Sequence, residues 1–284
     1  MKLAQSFALR NYGSAEDLLS FGLKSTVQAA RLPCLFPCTI PMMMYTLEVI
    51  AFTINAVLLA ERSGAHRIEL CDNPAEGGTT PGYGMIKTAR EKSSLLLYPI
   101  IRPRGGDFLY SNEEFEIMKR DVLLCKALGC DGVVIGLLQA DGSIDKKHTA
   151  ILAEAAYPLG VTFHRAFDRV ANPFEALEDI IICGCERILT SGLKPTAPEG
   201  AETIAHLVRQ ANERIIIMPG SGVRSENIVA LARQTGAIEF HSSARKAANS
   251  KMEYFNASMN ESLQTTELDT EEVKGMIMAL QTLD

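Results

Sequence analysis

A carboxylate and a thiol stand two positions apart in residues 67–71 (RIELC), a short apolar run of the chain. Side chains alternate between the two faces of a β-strand, so a strand here places Glu69 and Cys71 on one face. Burying a carboxylate costs free energy unless the group is paired or used. A loop rich in Gly and Pro, residues 72–81, follows directly. The run therefore predicts a strand whose carboxyl end carries chemistry.

Five further apolar runs also turn polar at their carboxyl ends. In a barrel of parallel strands these ends meet at one face, where active sites form. We therefore expect their polar side chains to converge on a common mouth. The runs are residues 100–107 (IIRPRGGD), 161–168 (VTFHRAFD), 187–192 (RILTSG), 215–222 (IIIMPGSG) and 238–245 (IEFHSSAR).

The polar residues expected at this mouth first predict acid–base chemistry. Strand alternation directs Glu48, Glu69, Arg102 and His164 inward. Carboxylates and imidazoles transfer protons, and a guanidinium binds an anion. We therefore predict Glu48, Glu69 and His164 as catalytic residues and Arg102 as an anion clamp. The alternative is a buried salt-bridge network of Glu48, Glu69 and Arg102 that only closes the barrel.

Substrate binding is predicted for the residues at the rim of the same mouth. The loops after the seventh and eighth strands occupy the place where many barrels bind phosphate through backbone amides. The glycines there also permit a tight turn, which is their alternative role. His241, on the eighth strand, is equally consistent with a functional residue of the mouth and with a buried residue of the core. The predicted set is Arg102, Arg104, Arg165, Asp168, Ser191, Gly220, Ser221, Gly222 and Ser242.

Cys71 is the predicted metal ligand or reactive thiol, and a small buried residue is the alternative. The chain has seven cysteines, an odd and scattered set in a sequence long enough to form its own core. Such a set is typical of reduced thiols rather than of a disulfide framework, and it favours a cytoplasmic location. Four others, Cys125, Cys130, Cys183 and Cys185, fall near helix ends and are predicted to pack.

Strand-like runs alternate with helical patterns from Thr46 to the end of the chain. Eight such pairs predict an α/β protein with a parallel sheet, a (β/α)8 TIM barrel. A doubly wound open sheet is the competing fold, but it would carry a glycine-rich phosphate loop after its first strand. Residues 52–55 (FTIN) do not form such a loop. The barrel is therefore the predicted fold.

Cap residues mark several of the predicted helices. Asn112 is predicted to cap the helix that runs to Leu128, and Asn172-Pro173 starts another. Asp269 and Glu272 have the spacing of a capping box. Residues 250–268 are polar and aperiodic, which predicts either a lid over the mouth or a disordered insert.

The composition is that of a soluble globular protein, with 47% hydrophobic and 22% charged residues in a chain of 284. A net charge of −6 argues against a nucleic-acid binder, and no apolar run is long enough for a membrane helix. Residues 1–43 lack the strand–helix rhythm. The predicted domains are therefore an N-terminal extension, residues 1–43, and a barrel, residues 44–284. An organellar targeting peptide is the alternative interpretation of the extension.

Several motifs of the chain occur in an order typical of one family. They are residues 68–71 (IELC), 76–81 (EGGTTP), 101–110 (IRPRGGDFLY), 163–168 (FHRAFD), 188–192 (ILTSG) and 217–222 (IMPGSG). Together they resemble the CutC copper-homeostasis family over about residues 45–245. The resemblance implies a cytoplasmic TIM barrel that binds copper ion, Cu(I), and acts in copper homeostasis, with an unsettled enzymatic role. It also implies a homodimer.

The first strand departs from the family pattern, which reads Leu-Glu-Val-Cys-Val-Asp-Ser. Residues 47–53 here read LEVIAFT, so Ile50 and Phe52 replace the Cys and the Asp. If a thiolate from each of the first two strands holds copper, only Cys71 remains, and Cu(I) favours sulfur ligands. Three hypotheses follow: copper handling through Cys71, an enzyme that acts on a small anionic or phosphorylated metabolite, or a non-catalytic scaffold whose mouth charges are fully paired.

Overall fold

Eight parallel strands, each followed by a helix, form the body of this computed structural model, which describes residues 45–260 and 262–283. The strands are β1 (Thr46–Ala51), β2 (Arg67–Leu70), β3 (Leu96–Pro99), β4 (Gly132–Ile135), β5 (Gly160–Phe163), β6 (Arg187–Thr190), β7 (Ile216–Pro219) and β8 (Glu239–Ser242). The helices are α1 (Ile54–Arg62), α2 (Tyr83–Lys92), α3 (Asn112–Ala127), α4 (Lys146–Ala156), α5 (Pro173–Ile182), α6 (Ala201–Ala211), α7 (Ile228–Thr235) and α8 (Thr270–Gln281). None of the helices in these residues is long and apolar enough to cross a membrane. The predicted N-terminal extension, residues 1–43, lies outside the described residues.

The strands close into a barrel in two hydrogen-bonded halves. One half has the order β3-β2-β1-β8 and the other β4-β5-β6-β7, and every pair is parallel. The amide of Ile101 donates to the carbonyl of Val134 (2.8 Å) and joins the two halves beside β3 and β4. β7 packs beside β8 at the other junction. The predicted (β/α)8 TIM barrel is confirmed.

Burial explains why these segments form strands of a parallel barrel. Every residue of β2, β4, β6 and β8 is buried. Strands buried on both faces require helices on the outside and a filled interior on the inside. The interior is partly charged, because Glu48, Arg67, Arg187 and Glu239 are all buried. Those charges must find partners within the barrel.

The cap residue predicted from the sequence is correct for α5 and wrong for α3. Asn172 caps α5 with Pro173 in its first turn, as predicted. The prediction that Asn112 caps α3 was wrong, because Ser111 does so. The Ser111 hydroxyl accepts from the amide of Glu114, and the Glu114 carboxylate accepts from the amide of Ser111.

The cap of α8 is also only partly as predicted. Asp269 caps this helix by accepting from the amides of the first turn. Glu272 does not complete a capping box, so that part of the prediction was wrong. Its carboxylate accepts instead from the amide (2.8 Å) and the hydroxyl (2.9 Å) of Ser225. Glu272 thereby fastens α8 to the segment that leads into α7.

The fifth strand is shorter than the sequence predicts. A strand is expected over residues 161–167, but β5 ends at Phe163 and a 3₁₀ helix follows over Arg165–Arg169. His164 stops the strand by capping this turn, since its Nδ1 accepts from the amide of Ala166 (3.1 Å). The cap fixes the orientation of the imidazole ring at the barrel mouth.

The segment after β8 is more regular than predicted. β9 (Arg245–Ala248) and β10 (Thr265–Leu268) pair as antiparallel strands, with Arg245 opposite Leu268. The prediction of an aperiodic stretch over residues 250–268 was therefore wrong at its end, where β10 lies. The amide of Asp269 donates to the carbonyl of Ala244 (2.7 Å), so this β9–β10 ribbon connects the barrel mouth to α8.

Candidate functional site

A cavity of about 320 Å³ opens at the carboxyl ends of the strands. The apolar part of its wall is formed by Ile50, Phe52, Ile100, Phe108 and Leu189. The charged and imidazole groups of its wall are Glu69, Arg102, His164, Arg165, His241 and Arg245. A partly apolar cavity on which a few polar groups converge is the usual form of a small-molecule site. This mouth cavity is the candidate site.

Two carboxylates hold His241 between them at the floor of the mouth cavity. The Nδ1 of His241 lies 2.7 Å from Glu48 Oε1, and its Nε2 lies 3.7 Å from Glu69 Oε2. Glu48 also accepts from the Nε of Arg67. Glu69 and His241 line the cavity, whereas Glu48 lies behind them without exposure to solvent. Glu48 therefore positions His241 and does not reach the cavity.

The two carboxylates differ sharply in their affinity for protons. Burial raises the pKa of Glu69 to about 7, against the opposing charge of His241. Burial also opposes ionisation of Glu48, but Arg67 and His241 together hold its pKa well below the usual value. The hydrogen bond to Glu48 and the charge of Glu69 raise the pKa of His241 in spite of its burial. At neutral pH Glu48 is ionised, and Glu69 can gain or lose a proton.

His164 is a neutral hydrogen-bond donor at another side of the mouth cavity. Burial and the nearby charge of Arg102 lower its pKa to about 3. Its Nδ1 accepts from Ala166, so the proton of the neutral ring is on Nε2. That Nε2–H is buried and has no hydrogen-bond partner among the residues described. A Cβ on Gly136 would overlap the imidazole ring, so glycine at this position makes room for it.

Arg102 also carries a donor without an acceptor. Its Nη1 donates to the carbonyls of Glu76 (2.6 Å) and Gly78 (2.9 Å), and its Nη2 donates to that of Gly106 (2.9 Å). The Nε–H is buried and meets no acceptor in the part of the chain that the structure describes. The guanidinium lies over the ring of Phe108, 4.9 Å from its centroid. Arg102 thus connects two loops beside the cavity, and no carboxylate of residues 45–260 and 262–283 lies within ion-pair distance of its charge.

The alternative of a salt-bridge network among Glu48, Glu69 and Arg102 is therefore wrong. Glu48 pairs with Arg67, and Arg67 also belongs to an ion-pair network deeper in the barrel. Glu239 accepts there from Arg67 (2.6 Å) and from Arg187 (2.6 Å). This network was not predicted from the sequence, although Arg67 and Glu239 each stand two residues before an inward residue of the same strand. Strand alternation was the signal that could have found it.

Arg165, Asp168 and Ser191 form a hydrogen-bonded group at the rim. Arg165 donates to Asp168 (2.7 Å) and to the Ser191 hydroxyl (2.8 Å), and the Ser191 hydroxyl in turn donates to Asp168 (2.9 Å). Of the three, only Arg165 lines the mouth cavity. Asp168 lines a neighbouring depression, and Ser191 is fully buried. Asp168 and Ser191 therefore hold Arg165 in place.

Arg104 lies outside the mouth cavity, in contrast to Arg102. It forms ion pairs with Asp107 (3.0 Å) and Glu114 and stacks on Tyr110. The chain leaves β3 at Pro99, so strand alternation no longer governs a residue five positions later. The sequence prediction that Arg104 contributes to the mouth therefore finds no support in its contacts.

The loops after β7 and β8 contribute four residues to the cavity wall. Ser221, Gly222, Ser243 and Arg245 line it. Ser221 and Gly222 have φ values of 74° and 72°, in the left-handed region that non-glycine residues rarely adopt. Arg245 was not predicted as a site residue, although it continues the alternation of Glu239, His241 and Ser243.

Gly220 and Ser242 stand beside the cavity without lining it. The amide of Gly220 donates to the carbonyl of Thr190 (2.9 Å), and a Cβ on Gly220 would overlap Leu189. The Ser242 hydroxyl donates to the carbonyl of Val223 (2.8 Å). Both residues shape the backbone of the site rather than its surface.

Cys71 is buried in the small apolar cluster at the barrel top. It packs with Tyr98, Ile100 and Val134, and it has no exposure to solvent. Burial and the charge of Glu69 raise the pKa of its thiol well above the usual value. Cys71 stays protonated at neutral pH and does not line the mouth cavity.

The sequence of the barrel matches the CutC family model over residues 45–246. The chain belongs to the CutC family. This CutC family member is 53% identical over 208 residues to a family protein CutC of Chromobacterium violaceum. The aligned region covers 73% of this chain and 84% of the relative. It is 49% identical over 239 residues to a family protein CutC of Parabacteroides distasonis, which covers 81% of this chain and 98% of the relative.

Solved structures agree with the family and with the fold. A crystal structure of the putative copper homeostasis protein CutC from Streptococcus agalactiae has 35% identity and a TM-score of 0.67, covering 70% of this chain and 99% of that chain. Thiamine phosphate pyrophosphorylase from Pyrococcus furiosus has 15% identity and a TM-score of 0.53, covering 84% of this chain and 96% of that chain. The second likeness is one of fold alone. The predicted membership of the CutC family is confirmed.

Proposed function

We propose that this CutC family member is an enzyme that binds a small phosphorylated metabolite in the mouth cavity and transfers a proton on it. One observation carries the proposal. Arg102 and His164 line the cavity, and each carries a buried N–H donor that has no acceptor among the described residues. Glu69, with a pKa of about 7, lines the same cavity. Titratable groups of shifted pKa in a cavity are typical of active sites.

The two donors on Arg102 and His164 support an oxygen-rich ligand. Leaving a buried N–H without an acceptor costs about 1–3 kcal/mol. A ligand oxygen at this wall would recover that free energy for both groups. The charge of Arg102 favours a ligand that is negative there, since no described carboxylate pairs with it.

The loops after β7 and β8 support a phosphate at the other end of the cavity. The backbone amides of Ser221 and Gly222 donate to no oxygen among the described residues. Arg245 forms no ion pair in those residues and stacks on Phe52, 5.6 Å from the ring centroid. Consecutive backbone amides beside a guanidinium form a concavity suited to an anion.

A matched pair of variants tests this proposal. Arg245→Gln removes the cation beside the Ser221 loop, and Arg209→Gln removes an exposed cation from the outer surface of α6. Isothermal titration with 2-phosphoglycolate is expected to show binding by the wild type and by Arg209→Gln, with about tenfold weaker binding by Arg245→Gln. Wild-type protein that binds neither 2-phosphoglycolate nor inorganic phosphate would contradict the proposal.

Copper handling through Cys71 is the second candidate function. The similarity to the Streptococcus agalactiae protein favours it, because that protein is named a putative copper homeostasis protein. The donor set here fits Cu(I) poorly. Cys71 is a buried, protonated thiol, and Ile50 and Phe52 of the neighbouring strand supply no sulfur. Cu(I) prefers sulfur ligands, so the cavity offers it one thiol at most.

An anaerobic Cu(I) competition titration separates the two candidates. Copper handling requires tight binding of one ion that is lost in Cys71→Ala. Equal binding by the wild type and by Cys71→Ala would remove Cys71 from any copper site. The same preparation in multi-angle light scattering tests the proposed homodimer, and cell fractionation tests the proposed cytoplasmic location.

A further inference from the structure

We infer that the mouth cavity catalyses proton abstraction from a carbon atom next to a carbonyl group. In this reaction Glu69 takes the proton, while Arg102 and His164 bind the carbonyl oxygen. The inference rests on the proposed function, because it names the reaction of the same cavity. It adds a reaction class and the chemical class of the substrate.

The carbonyl oxygen is assigned to Arg102 and His164 because both residues line the cavity and each has a buried N–H donor without an acceptor in the part of the chain that the structure describes. A donor stabilises a transition state best when it faces the atom on which negative charge develops. His164 cannot accept a hydrogen bond through Nε2, since its Nδ1 already accepts from Ala166. Gly136 and Phe108 hold the ring, whose centroid lies 4.9 Å from that of Phe108. The donor is thus fixed before any ligand arrives.

Glu69 is assigned as the base because it is the carboxylate that lines the mouth cavity. Glu48 has no exposure to solvent and does not line the cavity. Glu48 stays charged and holds Nδ1 of His241 at 2.7 Å. His241 then presents Nε2 towards Glu69, 3.7 Å away. His241 is a positioning residue that tunes Glu69, and Glu48 positions His241.

The chemical step balances without an oxidant. An oxygen of Glu69 takes the proton of the α-carbon, and the electron pair of that C–H bond becomes a C=C bond. The π pair of the carbonyl moves onto oxygen, whose negative charge receives hydrogen bonds from Arg102 Nε–H and His164 Nε2–H. Return of a proton from Glu69 to the same carbon regenerates the substrate, with that hydrogen exchanged. Return to the former carbonyl carbon completes an aldose–ketose isomerisation: the proton of the α-hydroxyl passes to the enolate oxygen, and the α-carbon becomes the new carbonyl carbon. Glu69 exchanges its proton with water between the two transfers.

The substrate class follows from the size and the walls of the cavity. A volume of about 320 Å³ lies at the lower end of the range for small-molecule sites. Ile100, Phe108 and Leu189 form an apolar wall, which suits a planar enolate and limits access of water. A phosphorylated hydroxyaldehyde or hydroxyketone of a few carbon atoms would fit both this volume and this wall.

Two phosphorylated probes test the inference on the full chain. Phosphoglycolohydroxamate mimics an enediolate, and 2-hydroxyethyl phosphate has a phosphate without that group. We expect the hydroxamate to bind at least about tenfold more tightly in isothermal titration, because it alone meets both donors. Dihydroxyacetone phosphate in D₂O is expected to gain deuterium next to its carbonyl, as followed by proton NMR.

Glu69→Gln and Glu91→Gln are the matched variants for the exchange measurement. Glu91 is an exposed residue of α2 that pairs with Lys87, so its variant should exchange at the wild-type rate. Glu69→Gln should slow exchange by about 100-fold or more, the usual effect of losing a general base. It should still bind 2-hydroxyethyl phosphate within about twofold of wild type. Circular dichroism melting verifies that both variants are folded.

The possible failures distinguish the inference from the proposed function. The inference requires both the preference for the hydroxamate and exchange that depends on Glu69. If both probes bind equally, or if exchange is absent or unchanged in Glu69→Gln, the inference is overturned and the phosphate site remains. If neither probe binds to the wild type, the proposed function falls and the inference falls with it.

Discussion

Two layers of charged and polar side chains lie inside the barrel, and they differ in how these groups are paired. In the deeper layer Glu239 accepts from Arg67 and from Arg187, each at 2.6 Å. In the outer layer Arg102 and His164 keep a buried donor without a partner in the described residues. Paired charges in a barrel interior satisfy each other and need nothing else. Buried donors left without acceptors cost stability, and the ligand that we propose would recover that cost.

Breaking the deeper layer should have the largest effect. Glu239→Gln leaves Arg67 and Arg187 buried without their shared carboxylate, so we expect the free energy of unfolding to fall by about 3–5 kcal/mol. Glu186→Gln is the control, because Glu186 is exposed and also contacts Arg187 (3.0 Å). Glu186→Gln should lower the free energy of unfolding by about 1 kcal/mol or less. Urea denaturation measures both values, and equal losses would remove the distinction between the layers.

Glu69, in the outer layer, should make the stability of the protein depend on pH. Glu69 has a folded pKa of about 7 against an ordinary value of 4.5. Between these values the folded protein holds a proton that the unfolded chain has released, so stability is highest below the window and falls as the pH rises through it. The fall attributable to Glu69 is about 3 kcal/mol.

Glu69→Gln should remove this fall because the amide does not titrate. Denaturation midpoints measured from pH 4.5 to pH 7 provide the comparison. A wild-type curve with the same slope as that of the variant would show that Glu69 titrates normally. In that case Glu69 would not be the base of the site.

Removing one donor of the outer layer should weaken binding more than folding. His164→Asn retains an oxygen that can accept from the amide of Ala166, but it lacks the Nε2–H. We expect about tenfold weaker binding of phosphoglycolohydroxamate, which corresponds to about 1.4 kcal/mol. His206→Asn, at an exposed position of α6, is the control and should bind as the wild type does. A larger effect on unfolding than on binding would make His164 a core residue.

Cys71→Ala should have the smallest effect of the four. Its thiol is buried among apolar residues, so we expect a loss of about 1 kcal/mol in stability and no change in the binding of 2-phosphoglycolate. The wild-type thiol should react with a disulfide reagent only as the protein unfolds. If the native wild type has one more rapidly reacting thiol than native Cys71→Ala, Cys71 is accessible and the copper hypothesis gains support.

The sequence was sufficient to predict the fold because local signals and global architecture agree. Apolar runs with polar ends recur in step with capped helices, and both predict the same barrel. The sequence also predicts Glu69, Arg102 and His164 as residues of the mouth, and the structure brings all three to one cavity. Strand alternation is enough for this, because it gives the face of the strand on which a side chain lies.

Strand alternation does not give the level of a side chain along the barrel axis or its partner. Glu48 was predicted beside Glu69, yet it lies deeper and pairs with His241, which is 193 positions away in the chain. Arg104 was predicted beside Arg102, yet it lies beyond the end of β3 and pairs with Glu114. Such choices depend on long-range packing that a single sequence does not display.

The β9–β10 ribbon connects the C-terminal helix α8 to the wall of the mouth cavity. Arg245 lines the cavity and pairs with Leu268, and the next residue, Asp269, caps α8. Glu272, in the first turn of α8, fastens that helix to Ser225. The final helix therefore tethers the cation that we assign to the phosphate. Truncations and fusions at the C-terminal end act directly on the entrance of the barrel, although that end is remote from the cavity in sequence.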